Sequence, residues 1–178
     1  MTGLTAGVTY QFRVQSRNSF SLSADSNTLQ VLCAFVPYAP AAPTTTVVNE
    51  NLLLEWTAPT ANGSPLLAYR VEIEQADGTF SEELTSCDGS EYFIFTMTAC
   101  TIPLATLRAD PFLLTMGTTI RAQIVAINEY GESDYSAIGG TALMVNVPDA
   151  PESLQNDLLV TDAFQIGIKW VDGPSTGG

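Results

Sequence analysis

The sequence predicts an all-β fold of antiparallel sandwiches in tandem, and three observations carry that reading. Short alternating apolar runs are punctuated by turn residues. A long motif recurs about 110 residues further along the chain. Proline-rich segments stand where the repeats meet. Of the 178 residues 46% are hydrophobic, which is ample for a packed core.

The strands follow in order. Thr44–Val48 is β-branched and follows prolines, which predicts a first edge strand. Leu52–Thr57 puts Leu52, Leu54 and Trp56 on one face. Ala58–Pro65 is a loop by its turn residues. Leu67–Gln75 sets Tyr69, Val71 and Ile73 against Arg70, Glu72 and Glu74. Ala76-Asp77-Gly78 is a hairpin signal, with Thr79–Leu84 as the returning strand. Glu91–Thr98, with aromatics at 92, 93 and 95, predicts another strand, and Pro103–Leu107 one helical turn. Thr118–Ile127 alternates most clearly, with Ile120, Ala122, Ile124 and Ala126 inward. After a turn at Tyr130-Gly131-Glu132, Tyr135–Val145 is the last strand, interrupted near Gly139-Gly140.

The repeat organises these strands. Leu4, Gly7, Tyr10, Phe12 and Val14 through Asn18, Ser21, Ser23 and Ser26 match Leu114, Gly117, Ile120, Ala122 and Ile124 through Asn128, Gly131, Ser133 and Ser136 without a gap. Val36-Pro37-Tyr38-Ala39-Pro40 matches Val147-Pro148-Asp149-Ala150-Pro151. Each is followed by a strand ending in tryptophan, Trp56 and Trp170, and then by a loop: Asn62-Gly63-Ser64 in the first case and Pro174 through Gly178 in the second. Residues 1–36 then hold the last strands of one unit, 37–147 a complete unit, and 148–178 the first strands of a third. Half-sandwiches expose open sheet edges. The flanking parts are therefore expected to be completed either by neighbouring copies or by further chain. The opening Met1-Thr2-Gly3-Leu4-Thr5 has no leader-peptide character, and a leader belongs further upstream if the chain is a piece.

The proline-rich start, the tryptophan of the second strand, the Leu-x-x-Gly-x-x-Tyr opening of the sixth strand and its Asn-x-x-Gly-x-Ser close resemble the fibronectin type III family. The resemblance covers the whole chain. It implies immunoglobulin-like sandwiches and a tyrosine corner at Tyr10, where the hydroxyl ties back to upstream backbone. Ile120 stands at that position in the complete unit, which keeps the packing and loses the hydrogen bond, worth about 1 kcal/mol. The complete unit is also longer than a typical member, with the excess at residues 84–116.

Cys87 and Cys100 flank the Asp88-Gly89-Ser90-Glu91 loop. A disulfide between them closes a loop of about 13 residues, contributing about 3 kcal/mol in the chain-entropy model, and implies an oxidising compartment. The alternative is two buried free thiols. Cys33 is expected to be buried, or to pair outside this chain. Asn62-Gly63-Ser64 is the N-glycosylation sequon, on a loop expected to be exposed.

Chemistry is limited by what is missing. The sequence has no histidine and one lysine, Lys169, which removes Ser-His-Asp and Cys-His machinery. Gly139-Gly140 and Gly177-Gly178 lack the pattern of a phosphate loop. Glu82-Glu83 and Asp88/Glu91 read as solvated charge. No cofactor is expected. The net charge of −13, from 19 acids and 6 bases, counts against nucleic acid and anionic lipid. No apolar run approaches the roughly 20 residues of a membrane span. Glu132, Asp134 and Asp149 are the best calcium candidates. Arg108-Ala109-Asp110 only distantly echoes a recognition tripeptide.

These features lead to a non-catalytic structural repeat of a secreted or cell-surface protein. Its expected partners are neighbouring domains or copies of itself, with glycans as candidates. A receptor ectodomain module is the alternative, with Tyr38, Phe80, Tyr92, Phe93 and Tyr130 as candidate contacts. An appendage of an extracellular enzyme is a third reading, and a reduced intracellular scaffold a fourth.

Overall fold

The structure, a computed structural model, describes residues 3–177. Met1, Thr2 and Gly178 lie outside the described residues, and with them part of the leader reading and of the terminal glycine pair. β1 (Thr9–Phe12) and β2 (Leu29–Leu32) form an antiparallel pair, Thr9 opposite Leu32 and Phe12 opposite Leu29. β3 (Thr44–Val48) pairs with β4 (Asn51–Glu55) around Asn49 and Glu50, both at positive φ, which closes a tight turn. β5 (Leu66–Glu74) follows, and the Gln75–Gly78 turn leads into β6 (Phe80–Glu82).

Next come α1 (Tyr92–Met97), β7 (Ala99–Pro103) and α2 (Leu104–Arg108). β8 (Ala122–Asn128) and β9 (Gly131–Glu132) form a short hairpin. β10 (Glu152–Asn156) pairs with β11 (Ile168–Val171) through an irregular register.

Residues of the central segment build two facing sheets, β3-β4-β7 and β6-β5-β8-β9, with every named pair antiparallel. The period of two in each strand sends alternate side chains between them. Leu52, Leu54, Cys100 and Ile102 come from one sheet, and Tyr69, Val71, Ile73, Ala122, Ile124 and Ala126 from the other. Each large apolar side chain buried this way contributes about 1.5–3 kcal/mol. Trp56 continues the inward face of β4 and meets Tyr69 edge-on, ring centroids 5.3 Å apart. The fold is an antiparallel immunoglobulin-like β-sandwich.

Three expectations need correction. Glu91–Thr98 is not a strand. Tyr92–Met97 is helical, Phe95 N donates to Glu91 O at 2.8 Å, and Thr98 ends the helix in the left-handed region. The strand lies just beyond, at β7, which pairs in full register with β4. Within residues 84–116, Leu104, Leu107, Phe112 and Leu114 are buried in the core. The last expected strand is reduced to bridges, Gly139 with Ala122 and Leu143 with Thr119. Thr45 Oγ1 accepts the N–H of Thr141 and of Ala142 there, at 3.0 and 3.1 Å. A Cβ on Gly139 would lie 2.1 Å from Pro43 O, so the chain needs glycine to run this close to the first strand. Glu83 is not solvated charge either. It is buried, and its carboxylate accepts the N–H of Thr85 and Ser86 at 3.1 and 2.8 Å, while Glu82 is exposed.

The flanking hairpins differ from the sandwich. Phe20 is 95% exposed beside β1 and β2, and Phe164 98% exposed beside β10 and β11. Trp56 is buried, whereas its counterpart Trp170 is 52% exposed on β11.

Candidate functional site

Several hydrogen bonds outside the sheets join residues 35–38 to the sandwich. Proline fixes the backbone of the linker and leaves its few N–H groups in need of acceptors. The loop between β4 and β5 supplies them. Phe35 N donates to Asn62 O and Tyr38 N to Thr60 O, both at 3.1 Å. Asn62 Nδ2 donates back to Val36 O at 2.9 Å. Asn62 is at φ 55°, a conformation that asparagine tolerates better than most residues.

Asn128, at the end of β8, ties the junction to the far sheet. It is buried, and its Nδ2 donates to Phe35 O at 2.8 Å and Ala61 O at 3.1 Å. Its Oδ1 accepts Tyr130 N at 2.8 Å. Gly63, at φ +92°, sits against the preceding hairpin. A Cβ there would lie 2.6 Å from both Cys33 O and Gly7 N. Glycine is required twice over, by conformation and by space.

The sequon asparagine is therefore not at an exposed loop tip. Its amide nitrogen, the atom that carries an N-linked sugar, is engaged in the linker contact, and Ser64 beside it is buried. Cys33 is a free, half-buried cysteine on the opposite side of this contact.

The two residues aligned by the sequence repeat, Tyr10 and Ile120, differ in surroundings. Tyr10 Oη accepts the N–H of Thr5 at 2.8 Å, while Ile120 is fully buried apolar surface.

A second candidate lies in the segment between β6 and β7. Cys87 and Cys100 are joined by a disulfide, with Cα atoms 5.2 Å apart, and both are buried. The bond holds the turn carrying Asp88 against β7, with α1 between them in sequence. Hydrogen bonds from the Ser90 hydroxyl and N–H, at 2.7 and 2.9 Å, hold the Asp88 carboxyl below the usual aspartate range. On α1, Tyr92 and Phe93 are exposed and stack edge-on with centroids 5.6 Å apart. Tyr38 lies in the linker, Phe80 on β6 and Tyr130 in the β8–β9 turn, so of the five candidate aromatics only Tyr92 and Phe93 share an element.

The calcium candidates are also dispersed. Glu132 pairs with Arg70 at 2.7 Å and lines the first junction with Asp134, whereas Asp149 lies at the following linker. Among the described residues no group of three or more His, Cys, Asp or Glu is placed to hold a metal ion. No helix among them is long and apolar enough to cross a membrane.

No family model matches the chain. It is 32% identical over 87 residues to a Kelch domain-containing protein of Saccharolobus solfataricus, covering 48% of this chain and 12% of that protein. It is 30% identical over 148 residues to the human protein named cell adhesion molecule-related/down-regulated by oncogenes, covering 79% of this chain and 10% of that one. The chain thus spans about a tenth of the length of these curated relatives. Among solved structures, titin domains A168–A170 align at 20% identity and a TM-score of 0.47, over 77% of this chain and 41% of that one. The twitchin kinase region of C. elegans aligns at 25% identity and a TM-score of 0.42, over 58% of this chain and 16% of that one. The fold is thus an immunoglobulin-like sandwich, and in sequence most of the chain is similar to a part of the human protein.

Proposed function

We propose that this chain is a non-catalytic structural segment of a tandem fibronectin-type array, in a secreted or cell-surface protein that builds an extended filament, coat or matrix. The units run 3–36, 37–147 and 148–177 within the described residues. One observation carries the reading. The hydrogen bonds that close the sandwich after β8 recur 110 residues earlier. Ile124 N and Ala126 N donate to Ser136 Oγ and Ser133 Oγ, each at 3.0 Å. Val14 N and Ser16 N donate to Ser26 Oγ and Ser23 Oγ, also each at 3.0 Å. Asn128 Oδ1 accepts Tyr130 N, as Asn18 Oδ1 accepts Phe20 N. Equal bonds from equally spaced serines and asparagines are what repeated units of one fold would give.

The buried Cys87–Cys100 bond supports an oxidising compartment. The test is intact mass of native material, with and without reduction before thiol alkylation, joined to electron microscopy of the native protein. Two cysteines blocked until reduction and a thread-like particle are expected. Freely alkylated cysteines would move the protein to an intracellular scaffold, and a compact particle would remove the filament.

A second reading is an adhesion or ligand-binding ectodomain module. It is favoured by the exposed Tyr92–Phe93 pair beside the disulfide, since exposed aromatics on a rigid support suit recognition. The human relative's name points the same way. Loss of cell or ligand attachment in a Tyr92→Ser, Phe93→Ser double variant that still folds would support it.

A further inference from the structure

The two linkers make the same contact, although the chain between donor and acceptor differs in length. At the first, Phe35 N and Tyr38 N donate to Asn62 O and Thr60 O. At the second, Asn146 N and Asp149 N donate to Gly177 O and Ser175 O, at 2.7 and 2.9 Å. The donors are three residues apart in both linkers and the acceptors two residues apart in both loops. The stretch from Asn146 to Gly177 is four residues longer than that from Phe35 to Asn62, so simple sequence spacing does not dictate the match.

The preceding side of each junction matches as well. Gly7 N donates to Cys33 O at 2.8 Å and Gly117 N to Met144 O at 2.9 Å, with Gly7 and Gly117 at φ +80° and +81°. Cys33 N returns to Val8 O and Met144 N to Thr118 O. At both places a glycine turn and a paired strand end therefore lead into the linker. At the first, Gly63 brings the next unit's loop against that strand end, and a Cβ would leave no room for it.

From these contacts we infer that the loop after the tryptophan strand is a socket for the linker of the preceding unit, and that it joins successive units in one fixed arrangement. The occupant is the Val-Pro-x-Ala-Pro segment with the residue before it, held in both linkers through backbone groups, its N–H donors at both and, at the first, also the carbonyls of Phe35 and Val36. That explains why Tyr38 can become Asp149 at an equivalent position. It also gives the short loop a role that its side chains do not advertise: it sets the angle of the array. The inference rests on the tandem reading above.

Amide hydrogen exchange by NMR on this chain tests both and separates them. The amides of Phe35, Tyr38, Asn146 and Asp149 are expected to exchange at least about tenfold more slowly than unprotected amides. Ladder amides of β1 and β2 report whether the flanking segment is folded. If the ladders are protected but the four linker amides exchange freely, the socket is wrong and the tandem reading stands. If β1 and β2 exchange freely too, the tandem reading falls and takes the socket with it.

Gly63→Ala is expected to speed exchange at Phe35 and Tyr38 by about tenfold or more and to leave Asn146 and Asp149 unchanged. Because alanine at φ +92° also strains the loop itself, Tyr38→Pro is the second variant. It deletes one donor and is expected to release Phe35 with the β4 and β5 ladders intact. Continued protection of Phe35 in either folded variant would overturn the interlock.

Discussion

Asn128 Nδ2 lies 2.8 Å from the carbonyl oxygen of Phe35, a residue 93 positions earlier, and 3.1 Å from that of Ala61. One buried side chain thereby connects the linker, the loop after Trp56 and the end of β8. An asparagine suits this place because its amide offers two donors and a carbonyl acceptor, and Tyr130 N uses the acceptor.

Asn128→Ala is expected to cost about 1–3 kcal/mol, since it removes the partner of two carbonyls in part-buried bonds and of the Tyr130 amide. Denaturant melting followed by the buried Trp56 measures it. Asn128→Asp should fare no better, because a carboxylate cannot donate to Phe35 O. A melting midpoint equal to the parent's in the alanine variant would remove Asn128 from its role.

Tyr10→Phe is expected to leave the hairpin in place and free the Thr5 amide, whose bond to Tyr10 Oη is worth about 0.5–1.5 kcal/mol. Faster hydrogen exchange at Thr5, with the β1 and β2 ladder amides little changed, is the readout. The reciprocal change, Ile120→Tyr, is expected to destabilise by about 1–3 kcal/mol, because Ile120 is fully buried and a larger ring overpacks its site.

Asp88 should show the Ser90 bonds in its titration. Its folded carboxyl lies below the usual aspartate range, chiefly through the Ser90 hydroxyl and then the Ser90 N–H. A depressed folded value means that the contribution to stability is present above the unfolded value and lost as pH falls through the folded one. The effect is therefore confined to acid conditions. Carbon-detected NMR titration is expected to give a midpoint that rises toward the ordinary range in Ser90→Ala. An unmoved midpoint would show that the hydroxyl is not the cause.

Much of the sandwich was readable in the residues, and the exceptions have physical reasons. Thr44–Val48 and Leu66–Glu74 announce themselves by β-branching and alternation, which the pleat imposes directly. Tyr92–Met97 does not, because a short apolar run fits a strand or a helical turn equally. Only the downstream pairing of β7 with β4 decides it. Glu83 cannot be told from Glu82 by composition, and the difference lies in which one meets two free N–H groups. At the junction, the prolines and Asn62-Gly63 are visible as repeated motifs. Their joining is not, because it runs through backbone groups that every residue carries. Asn62 was readable as a sequon, but its tie to Val36 O depends on a linker 26 residues away.

The disulfide offers the largest expected change. Cys87 and Cys100 are 13 residues apart, and cross-linking a loop of that size restricts the unfolded chain enough to contribute about 3 kcal/mol. For a unit of this size that corresponds to a fall in melting temperature of roughly 10–20 °C when the bond is removed. Both cysteines are buried, so a Cys87→Ala, Cys100→Ala pair keeps the site apolar and adds to the lost cross-link only the packing of two sulfur atoms. The local consequence is sharper. The bond holds the turn after β6 to β7 across α1, a helix with no buried side chain and no side-chain cap. Without the bond, α1 is expected to open before the sandwich melts. Hydrogen exchange at Phe95 and Thr98, whose N–H groups bond to Glu91 O and Ile94 O, reads that opening directly. Equal melting temperatures and equal exchange at these two amides, oxidised against the double variant, would show that the sandwich holds this segment without the cross-link.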